Sequence, residues 1–282
     1  MTNIQPMNTV FIGGGNMARA IIGGLLQQGA DPKSICVIEP QAQTAKLLQN
    51  DFLIPTYRAV GDARLKIETA HIIVLAIKPQ DFKTAATELS KHLKPVAHGP
   101  AILSIAAGIQ IANMSRWLEY SACIRAMPNT PALINEGITG LFAPACISEQ
   151  QRQYAQTICS AVGKVIWVPD ESLMDAVTAL SGSGPAYVFA FLEALQAGGE
   201  KMGLAPEIAR ELAYQTLMGA TALALQSSES PMSLRQKVTS KGGTTAAALE
   251  VLDQQKWATI LQEALLAAQK RGAAMAKEFG QS

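Results

Sequence analysis

The apolar positions of this chain fall into two textures. Through about residue 168, short apolar runs alternate with segments whose apolar residues recur at helical spacing. Residues 9–12 (TVFI) form an apolar, β-prone run. Ala20, Ile21, Ile22, Leu25 and Leu26 then mark one face of a helix reaching about residue 28. A second strand is expected at 35–39 (ICVIE) and a helix through 44–48. The runs 71–77 (HIIVLAI) and 101–106 (AILSIA) are continuously apolar, as strands covered on both faces are. Further strands are expected at 123–127 and 165–168, separated by a helix over 149–162. Strands alternating with helices in this way predict an α/β fold with a doubly wound parallel sheet.

After Pro169 the texture changes. Helical patterns cover 170–180, 187–198, 205–225, 244–252 and 255–278, with Gly182, Gly184 and Pro185 interrupting the first two. The expected organisation is therefore 1–168 as one domain and 169–282 as an all-α second domain. These later helices are alanine-rich and apolar around much of their circumference. A domain of about 110 residues has little interior to cover them, so a homodimer or higher homo-oligomer built through these helices is expected.

Chemistry enters at the first strand end. Ile12 is followed by Gly13, Gly14, Gly15, Asn16, Met17 and Ala18, a G-x-G-x-x-A turn between a strand and an amphipathic helix. This is the order of a Rossmann first unit. Gly13 makes the turn, Gly15 lets a pyrophosphate approach the backbone, and Ala18 keeps helix and sheet close. Glu39, ending the second strand, stands where a ribose-binding carboxylate belongs. A solvated strand end would read the same way.

Composition narrows the classes. Lys plus Arg number 23 and Asp plus Glu 22, so the net charge of +1 gives no field for nucleic acid or an acidic membrane. Cys36, Cys123, Cys146 and Cys159 lack C-x-x-C spacing, and His71, His92 and His98 lack metal-ligand spacing, so no metal is expected. No basic n-region with a long apolar run opens the chain, and no stretch of about 20 apolar residues follows. A cytoplasmic location is expected.

Three more segments end strands: Ala76, Ile77, Lys78 and Pro79; Ser104 to Gly108, with Ile105, Ala106 and Ala107; and Arg125 to Pro131. Ligands of open α/β sheets lie beyond the carboxyl ends of strands. Turn prolines and tight packing would also explain these residues. Late in the chain, Thr239, Ser240, Thr244 and Thr245 surround Gly242 and Gly243 just before a helical run. The amides of a helix's first turn point outward unpaired, so this loop can hold a small anion such as a carboxylate or phosphate.

The set GGGNMA, AIKP, SIAAG, RAMPNTPA, SGSGPAY and LRQKVTSKGGTTAAALEVL resembles pyrroline-5-carboxylate reductase, with the segments in that family's order from Ile12 to Asp253. The resemblance implies hydride transfer from NADPH or NADH to the C=N carbon of 1-pyrroline-5-carboxylate, giving L-proline. It places Ile12 to Met17 at the pyrophosphate, and Ala76 to Pro79 with Ile105 to Ala107 beside the ribose and nicotinamide. It places Glu171, Val238, Thr244 and Thr245 in the substrate pocket, with Thr245 bonding the ring nitrogen as the catalytic hydroxyl. The amides around Gly242, Gly243 and Thr244 would grip the substrate carboxylate.

The chain departs from the family pattern at Lys241, Gln236 and Lys237. Lys237 or Lys241 could attract the carboxylate, or could be solvated loop lysines. Glu39 replaces a hydroxyl residue common near the 2′-phosphate, which shifts the expectation toward NADH. Two rival readings stay open. One is a β-hydroxyacid dehydrogenase, although Val188 occupies the place of its catalytic lysine. The other is a nucleotide-binding protein without turnover.

Overall fold

A computed structural model describes residues 7–94 and 99–281, the side chain of residue 281 excepted. His98 and the first six residues lie outside the described residues. By internal contacts the chain forms two compact units, one from the described residues of Met1–Ser183 and Ala268–Ser282, the other Gly184–Ala267.

In the first unit, β1 (Thr9–Ile12) leads through the glycine turn into α1 (Asn16–Gln27). Then follow β2 (Ile35–Ile38), α2 (Ala42–Phe52), β3 (Thr56–Tyr57), α3 (Arg64–Glu68), β4 (Ile72–Leu75) and α4 (Pro79–Ser90). After these come β5 (Ala101–Ser104), α5 (Ile111–Leu118), β6 (Cys123–Met127), β7 (Gly137–Phe142), α6 (Glu149–Ser160) and β8 (Gly163–Trp167). The strands form one sheet in the order β3-β2-β1-β4-β5-β6-β7-β8. The reversal of order between β2-β1 and β4 opens the crevice in which such folds bind nucleotides.

The continuous apolar runs behave as expected. Every residue of β1, β2, β4 and β5 is buried. Side chains such as Phe11, Ile22, Ile73 and Leu103 are wholly removed from water, at about 1.5–3 kcal/mol each. Burial also pushes the Cys36, Cys123 and Cys159 thiols up to about 12, which keeps them inert.

Two strands escape the hydrophobic pattern. β3 is only Thr56–Tyr57 at a sheet edge, too short for a periodic signal. β7, Gly137–Phe142, contains two glycines and pairs antiparallel with β6, Met127 standing opposite Gly140, while β8 runs parallel to β7. The parallel sheet therefore carries a reversed pair at one edge. Glycine is required there for packing: a Cβ at Gly140 would lie 2.5 Å from Val177.

The helical chain begins with a short turn, Glu171–Leu173, and α7 (Met174–Val177). The expected break at Gly182 is instead a widened π turn, Thr178–Gly182, that runs directly into α8 (Gly184–Lys201). Met127 at the end of β6 approaches this turn so closely that a Cβ on Gly182 would lie 2.5 Å from its terminal carbon.

The second unit holds α8, α9 (Pro206–Gln226), α10 (Pro231–Lys237), α11 (Thr244–Gln254) and the start of α12 (Trp257–Gln281). Its α8 and α9 cross at small residues, where a Cβ on Gly199 would sit 3.0 Å from the Cβ of Ala209. Only Gly199, Ala209 and Ala213 of these two helices are buried, whereas Phe189, Phe191, Leu212, Met218 and Leu223 are at least half exposed. No helix of the described residues is long and apolar enough to cross a membrane.

Candidate active site

The glycine turn after β1 is framed by the strand ends of the first unit. Gly13 has φ +93°, and a Cβ there would meet the Ala76 carbonyl at 2.5 Å. The sheet continues one residue beyond the strands: the Gly13 N–H donates to the Ile38 carbonyl at 2.9 Å and the Ala76 N–H to that of Ile12 at 2.8 Å. A Cβ on Gly14 would strike Leu48 at 2.5 Å, but one on Gly15 would meet nothing within 4 Å. Gly13 and Gly14 are therefore required by the protein's own packing, while Gly15 leaves space for a bound group. Gly15 is also the N-cap of α1 and offers no side-chain cap, so the first amides of that helix have no intrahelical partner.

These residues border a cavity of about 670 Å³, within the usual size range of small-molecule sites. It brings together Ile12, Gly13, Gly14, Gly15, Glu39, Ala76, Ile77 and Lys78 with Arg58, Asp81 and Glu88. Asn16, Met17, Pro79, Ile105, Ala106 and Ala107 are not among its lining residues. Asn16 and Met17 open α1, and Pro79 opens α4 behind Lys78. Ala106 is buried, with its N–H 3.2 Å from the Ser104 hydroxyl, and Gly108 turns at φ +75° against Phe279.

Glu39 is 7% exposed, and each of its oxygens is already held. Oε2 accepts from the Gly14 N–H at 2.8 Å, and Oε1 from the Gln41 N–H at 2.8 Å. The carboxylate thus ties the glycine turn to the end of β2. Strand propensity alone does not reveal this role; a lone acid closing the apolar strand that follows a glycine fingerprint is the available signal.

A second polar centre lies beyond β6. Arg125, 5% exposed in an otherwise apolar strand, donates through Nη1 to Glu171 Oε1 at 2.8 Å. The same oxygen accepts from the Ile111 N–H at 2.8 Å, capping α5, whose own N-cap residue Gln110 supplies no side-chain bond. Burial, moderated by Arg125 and reinforced by Glu171, raises the carboxyl of Asp175 above its ordinary value. The Arg125–Glu171 pair is absent from the sequence reading, where Arg125 figures only as part of a strand-end cluster. An arginine inside an apolar strand demands a carboxylate partner, and that is the signal that points to it.

The late glycine loop belongs to the second unit. α10 is C-capped by Val238, which is 65% exposed, and the Thr239 hydroxyl donates to the Arg235 carbonyl at 2.7 Å. Gly242 takes φ +73°, and the Gly243 N–H donates to the Ser240 carbonyl at 3.1 Å. Gly243 is the N-cap of α11, again without a side-chain cap, and the first helical bond runs from Ala247 to its carbonyl. Thr244 is exposed and Thr245 half-buried in that uncapped first turn. Lys237 is paired with Glu229 at 2.6 Å, which leaves Lys241 as the cation within the loop itself.

A sheet with its order reversed beside β1, a glycine turn into α1 and a cavity at the carboxyl strand ends define a Rossmann dinucleotide-binding class of protein. Residues 8–108 match the family described as NADP oxidoreductase, coenzyme F420-dependent, and residues 171–275 match the family described as pyrroline-5-carboxylate reductase dimerisation. The chain is 41% identical to the pyrroline-5-carboxylate reductase of Pseudomonas aeruginosa, covering 96% of this chain and 97% of that one. It is 42% identical to that of Haemophilus influenzae over 98% of this chain and all of the other. A solved pyrroline-5-carboxylate reductase from Coxiella burnetii superposes with a TM-score of 0.89 at 39% identity, covering 96% and 99% of the two chains. The chain belongs to the pyrroline-5-carboxylate reductase family.

Proposed function

We propose that this protein reduces 1-pyrroline-5-carboxylate to L-proline with NADPH or NADH. The observation that carries this reading is near full-length likeness to pyrroline-5-carboxylate reductases at 41–42% identity, together with an open glycine cradle and a second uncapped glycine loop.

The bound nicotinamide supplies the hydride that reduces the C=N bond. The chain's own residues bind and orient. Gly13, Gly14 and Gly15 with the first amides of α1 would hold the pyrophosphate, and Ala76 to Pro79 with Ile105 to Ala107 would border the ribose and nicotinamide. The amides around Gly242, Gly243 and Thr244 would grip the substrate carboxylate, with Ser240 and Val238 beside it. Thr245 would donate toward the ring nitrogen. Once that nitrogen is protonated, a cyclic imine is electrophilic by itself, so positioning and water exclusion can supply most of the acceleration. Glu171, already holding Arg125 and the Ile111 amide, would shape the substrate side through those contacts.

A homo-oligomer formed through the helices of Gly184–Ala267 would cover the exposed faces of α8 and α9. Each large apolar side chain so buried contributes about 1.5–3 kcal/mol. The proposed setting is the cytoplasm, with no nucleic-acid or membrane partner. Absorbance at the reduced-nicotinamide band tests the activity: it should fall only when 1-pyrroline-5-carboxylate is added. Hydroxyacid-dependent reduction of NAD(P)⁺, or nucleotide binding without turnover, would favour the two rival readings instead.

A further inference from the structure

Glu39 presents a difficulty for a 2′-phosphorylated cofactor, because a carboxylate at the end of β2 repels phosphate. The structure places a cation directly beside it. β2 and β3 pair in parallel with Ile38 opposite Tyr57, and the Glu39 N–H donates to the Tyr57 carbonyl at 2.9 Å. That register sets Arg58, the residue after β3, beside Glu39, the residue after β2. The Arg58 guanidinium donates to the Pro40 carbonyl, and Glu39, Pro40, Gln41 and Arg58 all border the same cavity as the glycine turn.

We infer that Arg58 reads the 2′ position of the cofactor's adenosine ribose, and that its charge lets this chain accept a 2′-phosphate despite Glu39. The inference rests on the nicotinamide-cofactor reading above. Three observations carry it. The Glu39 oxygens are each held by a backbone N–H, so the carboxylate is fixed and cannot swing away from a phosphate. Arg58 is exposed and anchored by one nitrogen to a neutral carbonyl, so its fork can turn to a phosphate without breaking an ion pair. The other cavity cation, Lys78, follows β4, on the opposite side of β1 from β2. The acidic ribose position lies at the end of the second strand, so Lys78 stands away from it.

The test measures binding by the full-length protein of two fragments that carry no nicotinamide, 2′,5′-ADP and 5′-ADP, by calorimetry at low salt. Arg58→Gln should weaken 2′,5′-ADP about ten-fold, the lower end expected for a charge-assisted contact at an exposed site, while 5′-ADP changes less than about two-fold. Arg58→Lys, which keeps the charge but loses the fork, should recover part of the loss. Added salt should shrink the wild-type preference. Equal weakening of both fragments, or none, would overturn the role of Arg58 while leaving the cofactor site in place. Failure of wild type to bind NADPH, NADH and both fragments would overturn the cofactor reading as well.

Discussion

The molecule carries two glycine turns that do the same local job in opposite surroundings. Gly15 and Gly243 each cap a helix without a side-chain bond, and each turn has a glycine at positive φ, Gly13 at +93° and Gly242 at +73°. The first turn is locked from below by the Ala76 carbonyl, Leu48 and the Glu39 carboxylate. Around the second, a Cβ on Gly242 would meet nothing within 4 Å, and its neighbours are mostly exposed. One uncapped helix start is thus built by a sheet core and the other by a loop in a unit whose large apolar side chains remain half exposed. The first is held by its own fold; the second stands in a unit whose apolar faces the proposed homo-oligomer would cover.

The sharpest break of that comparison would come from the packed side. Glu171→Ala strands the buried Arg125 and uncaps α5, so it should lower the unfolding free energy by about 3 kcal/mol in urea titrations. Wild-type stability in that variant would mean the pair is incidental. Gly13→Ala adds a steric clash to backbone strain and should lose about 2–3 kcal/mol. Gly242→Ala meets strain alone and should lose only about 1 kcal/mol. If urea midpoints showed equal losses, the two turns would not differ in support.

A smaller effect concerns chemistry. Thr245→Ala should lower kcat about ten-fold while the KM for the reduced nucleotide stays within about two-fold, as expected for one hydrogen bond made mainly in the transition state. An unchanged kcat would remove Thr245 from its proposed role. The smallest effect is electrostatic. The Asp175 carboxyl is raised in the folded state, so its contribution is fully present below the ordinary aspartate pKa and is lost as pH rises through the folded value. Asp175→Asn should therefore raise Tm slightly at pH 7 and leave it unchanged at pH 3. A lowered Tm at pH 7 would reverse the sign.

What could be read from the chain alone follows the same division. Buried strands such as Ile72–Leu75 and Ala101–Ser104 are legible because a two-sided core demands unbroken apolar runs, although the sequence runs extend past the paired residues. β7 is not legible: its glycines serve contacts with Val177 and with the Val162 carbonyl, which depend on distant segments. The Gly182 region reads as a helix break, yet the backbone widens into a π turn and continues, because the small residue is there to admit Met127. Glu39 is recognisable as an acid in a telling place, but its bonds to the Gly14 and Gln41 amides depend on the folded turn. Arg125 and Glu171 are far apart in sequence, and only the folded chain brings them to 2.8 Å.

The central claim is tested most directly by following the transferred atom. With 1-pyrroline-5-carboxylate and nicotinamide cofactor carrying deuterium at the transferring position, mass spectrometry should find L-proline one mass unit heavier, labelled at C5. Unlabelled proline, or no proline at all with intact substrate and cofactor recovered, would contradict the account.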